Sequence, residues 1–543
     1  MPSLVQSVDW VAVTPVVIPA ALALVVLVAD LFMPPERKAL LGWLSAAGLL
    51  AAALTLVPLR DGHRSTFCQT PGAACSYTAD HFALVVQALV LGGALLTVLL
   101  SLTTGTTDAT GTLPSGEYWF LLLSSAAGGA LLPASRDLIT LIVALEVTTL
   151  PAFALVALRR GDRLAGEAAL KFFLTSVTAT AVSLLGISFV YAATGTVNLS
   201  QVAHALGHTP GQLDHLAKVG VALTLVGFAF KLAAAPFHFW VPDTYTGAPL
   251  PVAAYLSVVG KSAGFSGLIL LTVVAFRPYA DVWGPALGVL AALTMTVGNV
   301  GALRQRPDAE RGAVGLLAWS SIGQAGYLLV PMAAASSAHD PAHEIGTTVA
   351  YALMYGVVNL GAFAVAALVT RTAPRGRLAD YRGLYGRRPL AALALAFFLL
   401  CLAGLPPGVI GLFAKVAVFS SAVGAQHGWL AVIMAVNVVI ALVYYLRWTA
   451  LLFTRTEAAP DQAAVGAAVR GGGAEGASGG GRVAGAVPGQ TPGAAGAAAP
   501  AAGAAAGGTP LGLAVAIALT TVAGIALSGA PQLVLRYAQG TLL

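Results

Sequence analysis

DLITLIVALEVTTLPAFALVAL, residues 137–158, is apolar over a length that crosses a bilayer, and it carries Glu146 near its middle. Roughly 20 residues rising 1.5 Å each match a hydrocarbon core of about 30 Å, so the stretch predicts a membrane helix. A carboxylate inside such a helix is costly and is kept where the bundle interior uses it. The same criterion applied outward finds fourteen spans, at about 12–32, 39–58, 81–102, 117–134, 137–158, 167–193, 216–235, 250–275, 283–303, 313–334, 347–370, 389–424, 429–453 and 511–530. The whole chain, 543 residues, is 58% apolar and 9% charged, whereas a soluble domain is about 25% charged. Too few charges remain to solvate a water-facing surface, and the fold class predicted is an all-α polytopic membrane protein.

Two spans are expected to be discontinuous. The seventh runs into Pro236 and then Pro242, Pro249 and Pro251, and the twelfth is interrupted by Gly404-Leu405-Pro406-Pro407-Gly408. Breaks free backbone carbonyls and amides that can hold water or an ion. Two broken helices five spans apart suggest two five-helix repeats, helices four to eight and nine to thirteen; periodicity leaves parallel and inverted arrangements both open. The regions expected are 1–110 with three helices and an outer loop at 59–80, 111–278 and 279–455 as the repeats, 456–510 as an Ala/Gly/Pro-rich linker that cannot bury a core, and 511–543 with the last helix.

Sidedness follows from Lys and Arg. Seventeen lie in loops after odd-numbered helices and six in loops after even-numbered helices or the carboxyl end. Basic loops stay in the cytoplasm, so both termini are expected outside it. No amino-terminal stretch reads as a cleaved signal peptide, so the first helix is expected to remain. Cys68 and Cys75 fall in the outer loop, where pairing and free thiols are both open. Cys401 lies in an apolar run and reads as core packing. The +6 net charge is spread over many loops, which excludes a nucleic-acid surface. Three cysteines are too few for an iron–sulfur cluster, and no GxGxxG opens a helix after a strand, so no redox cofactor is expected in this chain.

The chain holds 22 arginines and 6 lysines, yet four lysines, Lys171, Lys231, Lys261 and Lys415, fall inside predicted spans. Either cation costs about 2.5–3.5 kcal/mol at mid-membrane, so solvation does not favour Lys. Titratability does: arginine stays protonated, whereas a desolvated lysine can release and regain a proton near neutrality. Glu146, the one acid placed well inside a span, would modulate a nearby lysine by approaching or leaving it. A static ion pair holding two helices is the alternative for Glu146 alone. His238, in PFHFW beyond the first break, is a further candidate relay or an interfacial histidine.

PFHFWVPDTYTGAPLPVAAYLSVVGKSAGF, residues 236–265, resembles the loop and eighth helix of the N-type membrane subunits of bacterial NADH-quinone oxidoreductase (respiratory complex I), which group with Mrp-type antiporter subunits. GEYWFLLLSSAAGGALL (116–132), EAALKFFLTS (167–176), LLAWSSIGQAGYLLV (316–330), YGVVNLGAFAV (355–365) and DYRGLYGRRPLAALALAFFLLCLAGLPPGVIGLFAKVAVF (380–419) extend the resemblance over about residues 80 to 455. Lys261 stands where the L and M types carry histidine, Lys415 where the M type carries glutamate, and no long lateral helix follows the core. The resemblance implies inverted repeats, Glu146 and Lys231 as the coupled pair, Lys261 as central relay and Lys415 nearest the outer exit, with Lys171 a helix-six lysine of less defined role. It also implies a bacterial plasma-membrane location, other complex I subunits as partners, and NAD, FMN, iron–sulfur clusters and quinone held by those partners. The sequence departs from the family at Val314 and Gly315, where a basic pair is usual, and at Gln324, where histidine is usual. Gln324 can hold water but cannot titrate, and these departures fit a diverged second copy of the subunit.

The function expected is proton translocation by a membrane subunit driven by electron transfer to quinone in its partners. A Mrp-like cation/proton antiporter and a non-pumping scaffold of a redox complex are the alternatives; no nucleophile, base and oxyanion set for a soluble-type enzyme is readable.

Overall fold

The computed structural model describes residues 8–68, 74–102, 113–159, 161–338, 340–454 and 509–538. The Ala/Gly/Pro-rich linker lies outside the described residues, except for its last two positions. The spans are α1 Trp10–Phe32, α2 Ala39–Leu54, α3 His81–Ser101, α4 Ser115–Leu131, α5 Leu138–Ala157, α6 Arg163–Thr194, α7 Gly211–Leu232, α8 Leu250–Ala275, α9 Ala280–Leu303, α10 Gly312–Ala334, α11 Pro341–Thr370, α12 in two halves, Pro389–Ala403 and Val409–Gly424, α13 Gly428–Phe453 and α14 Leu511–Gly529. Among the described residues twelve helices are long and apolar enough to cross a membrane, against the fourteen expected; α4, of 17 residues, and the two short halves of α12 supply the remaining positions, and the chain breaks within α12 as expected but after α7 rather than inside it.

Aspartates set many of the helix starts. Asp9, Asp80, Asp137, Asp162 and Asp340 accept backbone N–H bonds in the first turns of α1, α3, α5, α6 and α11, meeting donors that have no intrahelical partner. Asp340 with Pro341 begins α11 at residue 341 rather than 347, because proline at the first helical position loses no needed donor. α8, α10 and α11 are buried over most of their length, while α1, α6 and α14 keep large apolar faces outward. The interior is thus built largely from α3, α8, α10 and α11, and α8 contains two π-helical stretches at Leu256–Gly260 and Leu270–Ala275. Those stretches were not legible in the apolar pattern.

The loop at 59–80 is more structured than hydropathy implied. Strands β1 Arg64–Cys68 and β2 Cys75–Ala79 pair antiparallel, and Cys68 is disulfide-bonded to Cys75. Tyr77 Oη donates to the Ala12 carbonyl at 2.9 Å, Asn198 Nδ2 to the Cys75 carbonyl at 3.3 Å, and Arg64 pairs with Asp9 at 3.0 Å. The hairpin therefore ties α1, the loop before α5 and the α6–α7 connection together. Closing so short a loop is worth about 2 kcal/mol. Replacing both cysteines by serine should let trypsin cut at Arg60 and Arg64 of the membrane-embedded protein roughly tenfold faster; equal cleavage rates would mean the hydrogen bonds alone hold the hairpin.

Candidate functional site

Both helix breaks expose carbonyls at a helix end, and a lysine takes each. α7 ends at Leu232, after which Ala233 turns left-handed at φ 65° and the chain passes Pro236 and a short helix, Trp240–Gly247, before α8. The backbone of the break is satisfied by neighbours: Ala235 N–H donates to Thr294 Oγ1 at 2.8 Å, and the Trp240 indole donates to the Phe230 carbonyl at 3.2 Å. The Leu232 carbonyl accepts from Lys261 Nζ at 3.2 Å, and the same ammonium reaches the Ser321 carbonyl at 2.8 Å. In α12 the first half ends at Ala403, Gly404 is left-handed at φ 83°, and Lys415 Nζ donates to the Ala403 carbonyl at 2.7 Å. Carbonyls in the last turn of a helix lack an intrahelical donor, so each break is a built-in acceptor for an ammonium.

Two glycines make this approach possible. A Cβ on Gly264 would lie 2.8 Å from the Leu232 nitrogen, so α8 can seat Lys261 against the end of α7 only without a side chain there. A Cβ on Gly411 would collide with the Cys401 carbonyl where the halves of α12 cross. Lys231, Lys261 and Lys415 are 3%, 3% and 7% exposed.

Lys231 and Glu146 face each other across α5, α6 and α7 without touching. Lys231 Nζ donates to Thr149 Oγ1 at 2.8 Å and sits 5.8 Å from the Phe172 ring centre. Glu146 Oε1 accepts from Thr180 Oγ1 at 2.6 Å. Among the described residues no salt bridge joins the two charges. Thr149 lies one helical turn beyond Glu146 on α5. Glu146 is half-buried, beside Val143, Val147 and Leu150 on the outward face of α5. One threonine thus holds each charge apart from the other.

Between Lys261 and Lys415 stands a polar network centred on Gln324. Ser321 and Gln324 share a face of α10, and Gln324 Nε2 donates to Tyr445 Oη at 3.2 Å, which exchanges a 2.5 Å bond with Ser320 Oγ. Tyr351 Oη donates to Gln324 Oε1. Tyr444 Oη reaches Asn299 Oδ1 at 2.9 Å, and Asn299 bonds Asn437 at 3.0 Å. A cavity of about 20 Å³ lined by Gln324, Tyr351, Tyr355 and Lys415 adjoins this network, enough for one water with several polar partners. Gln324 thus sits on the line from Lys261 to Lys415 although it cannot ionise.

Lys171 is apart from this line. Its side chain is 48% exposed and pairs with Glu167 and Asp243, each at 2.8 Å, which corrects the expectation of an unpaired cation inside the bundle. His238 is half-exposed at the first break, its ring 5.9 Å from that of Trp319, and it bonds none of the three lysines among the described contacts. Sequence reasoning missed Glu344, a buried carboxylate in the first turn of α11 that accepts from Ser421 Oγ. Arg311, before α10, ties the α5–α6 connection to the short helix before α8, bonding Asp162 at 3.0 Å and the Thr246 carbonyl at 2.7 Å. Burial alone would raise the Asp162 carboxyl, but Arg311 and the N–H groups of Ala165 and Leu164 more than offset it and hold it below the usual carboxylate range.

Comparison with known proteins agrees with this architecture. Residues 135–441 match the family described as NADH:quinone oxidoreductase/Mrp antiporter, TM. A Streptomyces griseus protein called NADH-quinone oxidoreductase subunit N 2 is 65% identical over 100% of this chain and 95% of its own length. The Salinispora tropica NADH-quinone oxidoreductase subunit N is 46% identical over 83% of this chain and 86% of its own. Among solved structures, respiratory complex I from Thermus thermophilus contains a chain with TM-score 0.70 and 28% identity, covering 97% of this chain and 100% of that one. The Mrp complex from Dietzia shares the fold, with TM-score 0.75 at 22% identity, covering 97% and 96%. A half-buried Glu146, three buried lysines, two of them seated on helix breaks, a family match over residues 135–441 and a full-length relative at 65% identity lead to one assignment: the chain belongs to the subunit N branch of the NADH:quinone oxidoreductase/Mrp antiporter membrane family.

Proposed function

We propose that this chain translocates protons outward as a membrane subunit of NADH-quinone oxidoreductase, through the series Glu146/Lys231, Lys261, Lys415. The supporting observation is the placement of the lysines: three buried amines, two of them seated on freed helix-end carbonyls and one beside a separately held carboxylate. Energy arrives from neighbouring subunits that hold NAD, FMN, iron–sulfur clusters and quinone, as a change that brings Glu146 toward Lys231 or takes it away. Engagement raises the lysine's proton affinity and disengagement lowers it, which moves a proton on to Lys261. The half-buried position of Glu146 on an outward face gives a neighbouring antiporter-like subunit access to the switch. The chain lies in the bacterial plasma membrane with both termini outside.

Glu146→Gln removes the switching charge and keeps an acceptor for Thr180. In the complex reconstituted into vesicles, the proton-to-electron ratio should fall while electron transfer to quinone is retained in part. An unchanged ratio would remove Glu146 from the mechanism. Cation-dependent proton flux by the isolated polypeptide would point instead to a Mrp-like exchanger, and normal pumping after every lysine substitution to a scaffold.

A further inference from the structure

The relay as described stops at Lys415, short of the outer surface. Along the second half of α12, Ser421 follows Lys415 by six residues, about 9 Å outward, and is 5% exposed. Its hydroxyl donates to Glu344 Oε2. Glu344 is 9% exposed and makes no salt bridge among the described residues. On α11, Glu344, Thr348, Tyr351 and Tyr355 are spaced by four, three and four residues and so share one face. Tyr351 and Tyr355 line the cavity that holds Lys415, so the face that borders the last lysine carries a carboxylate about 10 Å further out.

We infer that Glu344 is the proton-release group of this chain, receiving protons from Lys415 and delivering them to the outer water. This rests on the function proposed above. The Lys415 ammonium gives a proton to the first water of an intervening chain as the last water protonates the Glu344 carboxylate; the neutral lysine is recharged from Lys261, and the carboxylic acid loses its proton to the outer phase. Two or three hydrogen-bonded waters cover about 9 Å. Three features favour a working group over a structural one. Burying a carboxylate costs more than burying the amide or hydroxyl that could bond Ser421 equally well. Its first-turn position on α11 lets the helix dipole stabilise the anion after each release. His343, next in the chain and exposed, shows that the helix meets the surface within one residue.

The test is the proton-to-electron ratio of the intact complex in vesicles for Glu344→Gln, Glu344→Asp and Lys415→Ala, at matched content of assembled complex. Glu344→Gln keeps an acceptor for Ser421 but carries no proton, and its ratio should fall to that of Lys415→Ala. Glu344→Asp should recover most of it. A normal ratio in Glu344→Gln with a low one in Lys415→Ala overturns the exit role alone. A ratio as low in Glu344→Asp as in Glu344→Gln makes the residue structural and overturns it too. Normal pumping in Lys415→Ala overturns the relay itself, and the exit with it.

Discussion

Replacing Lys231 or Lys415 by alanine is expected to abolish the proton flux carried by this chain. Either change leaves a gap in a series whose members are buried and fixed: Lys231 on Thr149, Lys415 on the Ala403 carbonyl. A proton crossing the gap has no amine to occupy and must rest on interior water, where an uncompensated charge costs several kcal/mol. Each 1.4 kcal/mol is tenfold in rate, so a fall of about 100-fold or more follows for that path. Lys415→Ala also strips the Ala403 carbonyl of its donor, at about 1–3 kcal/mol, within what a bundle this extensively packed absorbs. Proton flux per electron in reconstituted vesicles, measured with the electron-transfer rate and the content of assembled complex, reads the effect. Wild-type ratios in both variants would defeat the series.

Most of this fold is written in hydropathy, because a helix in lipid must satisfy its own backbone and therefore shows as an uninterrupted apolar run. The breaks after α7 and within α12 were legible for the converse reason: Pro236 and the Gly404 to Gly408 stretch cannot continue a helix. What hydropathy hides is where polar residues sit within or beside a span. The span expected from 347 begins six residues earlier, at Asp340-Pro341, an N-cap followed by a first-position proline, and that pair marks both the helix start and the carboxylate at 344. Lys171 looked buried because its helix is apolar, but periodicity in so apolar a helix does not separate the lipid face from the core face. Of its partners, Glu167 one turn before it was readable as a helical pair, whereas Asp243, in the short helix after the α7 break, is adjacent only in three dimensions. The lysine-to-carbonyl seats at Leu232 and Ala403 were unreadable in detail, since they depend on which helices cross at Gly264 and Gly411.

Lys261→Arg separates a titrating relay from a wet, charged scaffold. Arginine keeps the positive charge and more than enough donors for the Leu232 and Ser321 carbonyls, now met at 3.2 and 2.8 Å, but it does not release a proton at any accessible pH. A scaffold that needs only a cation at this point would keep pumping with arginine and fail with alanine. A relay fails with both, and the expected result is that Lys261→Arg and Lys261→Ala give the same low proton-to-electron ratio. Size is the competing explanation, because Gly264 already leaves no room between α8 and the end of α7. Lys261→Met, close to lysine in volume and uncharged, controls for it: a complex that assembles with methionine and does not pump loses function through chemistry rather than packing. Lys171→Arg supplies the contrast within the same chain. That lysine is exposed and held between two carboxylates, contacts that arginine reproduces, so its replacement should leave the ratio within error of the unaltered complex. Pumping by Lys261→Arg, or its loss in Lys171→Arg, would place the working cation somewhere other than the line from Lys231 to Lys415.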